Sequence, residues 1–202
     1  MHGATPRPNA AQQPPRDRRA PPDSKPWLAL GGLSAAMAAV VTVSNVLVVF
    51  PINDWLTWAA FTYPFSFFIN DLTNRTLGLR RARSVVFVGF AFAVLLSAAL
   101  GPWRIAVGSG LAFLVAQLMD ADAFDRLRHR PWWMPPLFSS LLASIADTAL
   151  FFAIAFAGTG LPWLSWAIGD YAIKAAFALV LLLPFRSLVR FVSAALPKSL
   201  PQ

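Results

Sequence analysis

Residues 137–158 read LFSSLLASIADTALFFAIAFAG, an apolar run carrying a single charge, Asp147, near its middle. Lipid offers no partner to an unpaired backbone group. A stretch of roughly 20 mostly apolar residues therefore crosses a bilayer as a helix that satisfies its own N–H and C=O groups. Five further runs have this character or approach it, at about 28–50, 56–70, 84–100, 105–124 and 163–185. The predicted architecture is all-α, a polytopic membrane protein with six transmembrane helices. The second and third runs are short, and the second carries Pro64, which removes a backbone donor and kinks or breaks a helix. A short, proline-interrupted span points to a binding site, because freed backbone groups then face a cavity or a neighbour. Simple bending of a packed helix is the plainer account of Pro64.

The composition agrees with the spans. Of 202 residues, 57% are hydrophobic and 13% charged, with mean hydropathy +0.57. Soluble domains average roughly 45–50% apolar and about 25% charged. A soluble globular enzyme, a disordered chain and a disulfide-stapled secreted module are thereby excluded. The chain has no cysteine, which removes thiol nucleophiles, CxxC redox chemistry and cysteine zinc sites. His2 lies in a polar tail and His129 in a basic loop, so neither suggests a metal ligand, and no metal or cofactor is expected. The net charge of +8 would suit nucleic acid, but the basic residues fall between apolar runs and in the tails, as in a membrane protein.

Residues 1–26, rich in Pro, Ala and Arg, read as a disordered cytoplasmic tail; residues 27–190 form the membrane domain, and 191–202 a short cytoplasmic tail. A secretory signal fits poorly, since the run from Leu28 to Phe50 is too long for one. The tail holds Arg7, Arg16, Arg18, Arg19 and Lys25. The 71–83 loop holds Arg75, Arg80, Arg81 and Arg83, the 125–136 loop Arg126, Arg128 and Arg130, and the C-terminal end Arg186, Arg190 and Lys198. The alternate connections hold only Arg104. The positive-inside rule puts both termini in the cytoplasm with an even number of spans, and Trp27, Trp55, Trp103, Trp132, Trp133 and Trp163 sit at span ends as an aromatic belt.

All nine acidic residues are Asp. Asp71, Asp120, Asp122, Asp147 and Asp170 lie in or at the edge of spans, joined by one cation, Lys174. A charge at a helix centre costs from roughly 2.5 to over 10 kcal/mol, so these residues must meet a partner or a wet cavity. Asp170 and Lys174 stand one turn apart on one helical face, and one lysine cannot neutralise both Asp147 and Asp170. A buried ion pair that merely fixes helix packing is the alternative. Periodicity favours a cavity. Ser109, Phe113, Gln117 and Asp120 recur on one face, as do Ser140, Ser144, Asp147, Thr148 and Phe151, and the first span adds Thr42 and Asn45. Ser and Thr also permit close helix contact, which accounts less well for Asn45, Gln117 and the carboxylates. The set suits a small, polar, aromatic guest. An intramembrane aspartyl protease is a weaker reading: Ala167-Ile168-Gly169-Asp170 lacks the first glycine of GxGD, and Lys174 opposes a shared-proton dyad.

The chain also resembles the bacterial queuosine precursor transporter family, the vitamin-uptake-type transporters. The matching pieces are Ser44-Asn45; Phe65-Ser66-Phe67 with Asn70-Asp71-Leu72-Thr73, Gly78 and Ala82-Arg83; Gln117-Leu118-Met119-Asp120 with Phe124-Asp125-Arg126-Leu127-Arg128; Trp132-Trp133; Ser144 to Phe156; and Asp170-Tyr171 with Lys174 and Leu183-Pro184. They cover about residues 40–186. Arg75 departs from the pattern, where many relatives place Glu. The resemblance implies uptake of 7-deazaguanine precursors across the inner membrane, and similarity to the six-helix substrate-binding subunits of energy-coupling-factor importers, which need an ATP-driven partner module. Its expected partners are the 7-deazaguanine and the lipid bilayer, not nucleic acid. In that frame Asp71, Asp120, Asp147 and Asp170 are candidates to accept a guanine-like N–H and amine. Asn45, Gln117, Thr148 and Lys174 are candidate hydrogen-bonding groups, and Phe65, Phe113 and Phe151 candidate stacking platforms.

Overall fold

The computed structural model describes residues 26–100 and 102–194. The predicted tail up to Lys25, and Lys198, lie outside the described residues. The elements run α1 (Pro26–Leu47), β1 (Pro51–Asn53), β2 (Leu56–Thr57), α2 (Ala59–Thr62), α3 (Pro64–Leu77), α4 (Leu79–Leu100), α5 (Trp103–Leu127), α6 (Met134–Phe156), α7 (Trp163–Val180) and α8 (Leu182–Ala194). Apart from the small antiparallel β1–β2 hairpin, the described chain is helical. Three helices, α1, α5 and α6, are long and apolar enough to cross a membrane. Together α7 and α8, bent by 52° at Leu181, make a fourth if taken as one span.

The second, third and last predicted runs come out differently from their reading in sequence. The 56–70 run opens as a strand and a one-turn helix. Pro64 sits in the first turn of α3, where its missing N–H leaves no helical bond unmade. From there α3 continues through residues expected to form a loop, burying Asn70, Asp71, Thr73 and Asn74. It stops at Gly78, whose φ of 87° is open to glycine but strained for other residues, and α4 begins at the next residue. The 163–185 run breaks at Leu181. Residues 191–194, expected to be tail, are the last turn of α8.

Small residues let the helices close on one another. A Cβ on Gly89 of α4 would stand 2.7 Å from Met37 of α1 and 3.0 Å from Phe113 of α5. One on Gly108 would meet the α6 backbone at 3.3 Å, the close approach small residues permit in membrane helices. Met37, Val41, Ile69, Val85, Val86 and Phe113 fill the core this leaves. Leu72, Phe124 and Phe185 seat α8 against α3 and α5. The outer faces stay apolar, with Phe92, Leu95, Leu111, Leu142, Ile145 and Leu164 exposed, a surface suited to lipid and costly in water.

The two ends of the bundle differ in charge. At one end Arg75 donates to the Arg128 carbonyl (3.1 Å), Arg128 to the Asn74 carbonyl (2.7 Å), and Arg83 pairs with Asp122 (2.6 Å). There the Arg186 guanidinium also lies 5.5 Å from the Trp132 ring centre. At the other end of α5, Arg104 donates to the carbonyls of Ile154 (3.2 Å) and Ala157 (2.7 Å). It thereby satisfies the C-terminal carbonyls of α6, where positive charge is favoured.

Candidate functional site

The acidic and basic groups of α6 and α7 meet inside the bundle. Lys174 Nζ donates to Asp147 Oδ2 at 2.6 Å and to Thr148 Oγ1 at 3.1 Å, and pairs with Asp170 Oδ2 one turn away on its own helix. The Thr148 hydroxyl donates to Asp170 Oδ2 at 2.8 Å. An ammonium has three protons, and these three partners use all of them. Asp147 Oδ1 is held by the Tyr63 hydroxyl at 2.7 Å, and the Tyr63 ring centre lies 4.9 Å from Nζ. Asp170 Oδ1 has no hydrogen-bond partner among the described residues. One cation thus stands between two carboxylates, with one carboxylate oxygen uncommitted.

That cluster forms one wall of a cavity lined by side chains from α1, α5, α6 and α7, an internal pocket of the kind in which small molecules are bound by a few convergent polar groups. From α1 comes Asn45, whose amide reaches the Ala93 carbonyl at 3.5 Å. Helix α5 supplies Ser109 and Phe113, four residues apart and so on one face. Helix α6 supplies Asp147 and Phe151 at the same spacing, and α7 Asp170 and Lys174. The β1–β2 hairpin closes the end away from the arginines: Thr57 lines the cavity, and Asp54 accepts from the Ser165 hydroxyl at 2.9 Å. The Trp55 carbonyl occupies the place a Cβ on Gly169 would take.

Of the residues expected from sequence, Asn45, Phe113, Asp147, Phe151, Asp170 and Lys174 line this cavity, and Thr148 braces two of them. Phe65 does not: its ring packs edge-on against Phe177 at 5.7 Å and is partly exposed. Asp71, Gln117 and Asp120 sit in a separate buried cluster between α3, α5 and α6. Gln117 shares the face of Ser109 and Phe113, but one turn on, about 5.4 Å further along, that face meets α3 instead of the cavity. Tyr63 was not anticipated. Its signal was a phenol, one of two tyrosines in the chain, directly before a proline in an apolar run.

Comparison with known proteins gives consistent matches. The family described as "Putative vitamin uptake transporter" matches residues 57–101 and 95–189. The queuosine precursor transporter of Escherichia coli K12 is 35% identical over 187 residues, covering 78% of this chain and 85% of that protein. A "Probable queuosine precursor transporter" of Haemophilus influenzae is 35% identical over 154 residues, 63% of this chain and 66% of its own length. One from Bacillus subtilis is 27% identical over 144 residues, 56% and 63%. No solved structure matches.

Proposed function

The chain belongs to the queuosine precursor transporter family, and from that premise we propose that it imports 7-deazaguanine precursors of queuosine, the 7-cyano and 7-aminomethyl compounds, across the bacterial inner membrane. The observation that carries this reading is the uncommitted Asp170 oxygen in the wall of a cavity that also holds Phe113, Phe151 and Asn45. A guanine-like edge presents an N–H and an amine side by side, and a carboxylate accepts both. The Asn45 amide suits the carbonyl edge of the same ring, while Phe113 or Phe151 supplies a stacking face. The cationic 7-aminomethyl compound gains further from the surplus negative charge around Lys174; the neutral 7-cyano compound does not.

In this reading α1, the α2–α3 pair, α4, α5, α6 and α7 are the six crossings, and α8 lies along the cytoplasmic surface with both termini on that side. The arginines gathered at the α3–α4, α5–α6 and α8 end support this orientation. An aspartyl enzyme needs two carboxyls sharing a proton, and Lys174, paired with both Asp147 and Asp170, argues against one here.

Uptake of labelled 7-cyano-7-deazaguanine by the purified chain in liposomes tests the proposal. The expected result is saturable flux without an added partner, lost in Asp170→Ala with the protein still inserted. Flux only after addition of an ATP-driven module would make the chain a substrate-capture subunit. Wild-type rates in both Asp147→Ala and Asp170→Ala would overturn the site.

A further inference from the structure

Towards the arginine-rich end, α3, α5 and α6 enclose a second polar cluster that the substrate cavity does not use. Asp71 of α3 and Asp120 of α5, the latter bonded by Asn70, the chain neighbour of Asp71, are 3% and 0% exposed, and neither has a cation partner among the described residues. The Ser139 and Ser140 hydroxyls donate to Asp71 Oδ1 and Oδ2, both at 3.1 Å. Asn70 Nδ2 donates to the Gln117 carbonyl (2.8 Å) and to Asp120 Oδ2 (2.9 Å). Those two acceptors fix the orientation of its amide. Gln117 Nε2 donates to Ser66 Oγ (2.8 Å), whose own proton goes to the Tyr63 carbonyl (2.7 Å), so this amide is fixed as well. Three fully buried oxygens, Asn70 Oδ1, Gln117 Oε1 and Asp120 Oδ1, are left with no donor.

Buried acceptors are rarely left so. The cluster lacks a donor, and its two buried carboxyl groups can supply one by taking up a proton. We propose that the buried Asp71 and Asp120 cluster is the protonation site that couples precursor movement to a proton gradient, taking up one proton per cycle. The proposal rests on the transport reading above. The proton arrives from the water on the side of higher proton activity, forms an O–H bond on the pair, and is released to water on the other side; no other bond changes.

Two features tie this site to the substrate cavity. The chain from Gln117 through Ser66 ends on the Tyr63 carbonyl, and the hydroxyl of the same tyrosine holds Asp147. Asp71 also lines, with Ser140, Ser144, Leu181 and Phe185, a smaller cavity at the α7–α8 bend, and Lys174 lines both cavities. The cations on the surrounding elements lie elsewhere, Arg126 of α5 and Arg190 of α8 being exposed. Lys174 of α7 is held by Asp147, Asp170 and Thr148. Arg75 of α3 is on the Arg128 carbonyl, Arg83 of α4 on Asp122, Arg128 on Asp125, and Arg186 of α8 over Trp132.

The test uses the full chain in liposomes with two readouts. Without substrate, an infrared pH titration follows the protonated-carboxyl band. The expected result is a titrating band lost in Asp120→Asn and in Asp71→Asn and kept in Asp147→Asn. With substrate, an outward-acid gradient of one pH unit drives about tenfold accumulation of labelled 7-cyano-7-deazaguanine if one proton moves with each molecule. Either variant keeps substrate binding and loses the response to the gradient; Asp71→Asn replaces Asp120→Asn should the latter fail to insert. A band unchanged in both variants overturns the proposal, as does accumulation driven by a sodium gradient at equal pH. A wild-type protein that shows the band yet binds no 7-deazaguanine would strike down the substrate reading and leave the protonation site standing.

Discussion

Lys174 holds three partners at once, and removing it leaves Asp147 and Asp170 facing each other in a low-dielectric interior. Breaking a buried pair in this way costs about 3–5 kcal/mol. Lys174→Met is therefore expected to lower the thermal unfolding midpoint in detergent sharply, and Lys174→Met with Asp147→Asn to recover part of the loss. A double variant no better than the single would show the charges to be uncoupled. Tyr63→Phe removes one hydroxyl from Asp147 Oδ1. A hydrogen bond to a charged group contributes about 1.5–3 kcal/mol, so that variant should lose stability by roughly this amount in the same unfolding measurement, and an unchanged midpoint would contradict the bond. The meeting of Asp147, Asp170 and Lys174 was legible in the sequence because charges in oil have few alternatives. Tyr63 was not, since an uncharged phenol beside Pro64 in an apolar run carries no charge that demands a partner. Gln117 and Asp120 were read into the cavity because periodicity reports which residues share a face and not which neighbour that face meets, and Asp71 because an acid at a span edge shows its need of a partner but not its place.

The same limit explains the elements. Hydropathy averages side chains without regard to their surroundings. Asp71, Thr73 and Asn74 thus read as loop, although they are buried polar residues of a continuous helix, with Asn74 Nδ2 on the Ala121 carbonyl at 2.7 Å. The hairpin was illegible for a related reason. Pro51 to Thr57 packs against α7 through backbone groups, the Asp54 and Trp55 carbonyls over Ser165 and Gly169, and such contacts leave little side-chain pattern. They do leave a testable dependence on one glycine. A methyl group at position 169 must displace the Trp55 carbonyl, so Gly169→Ala is expected to lift the hairpin off α7 and open that end of the cavity. The chain has no cysteine, so Thr57→Cys would be a unique thiol. It should react with a water-soluble maleimide several-fold faster in the Gly169→Ala background than alone; equal rates would mean that the hairpin does not depend on this close approach.

At the scale of the whole molecule, charge at the two ends predicts the orientation. The α3–α4 turn, the α5–α6 connection and α8 bring Arg75, Arg128 and Arg186 to one end, while Arg104 at the other is bound to α6 carbonyls. Basic residues are retained on the cytoplasmic side during insertion, so the arginine-rich end should face inward. This orientation puts the hairpin-covered substrate cavity towards the outside and the smaller cavity beside Asp71 towards the cytoplasm. Lys174 lines both cavities, and the second lies at the α7–α8 bend, so in the proposed import cycle this lysine stands between entry and exit. Orientation is measurable by single cysteines in exposed connections, His129→Cys between α5 and α6 and Thr159→Cys between α6 and α7. In intact cells stripped of outer barriers, an impermeant maleimide should label Cys at 159 and spare Cys at 129, with inverted vesicles giving the opposite pattern. Labelling at 129 from outside would reverse the orientation and with it the sides onto which the two cavities face.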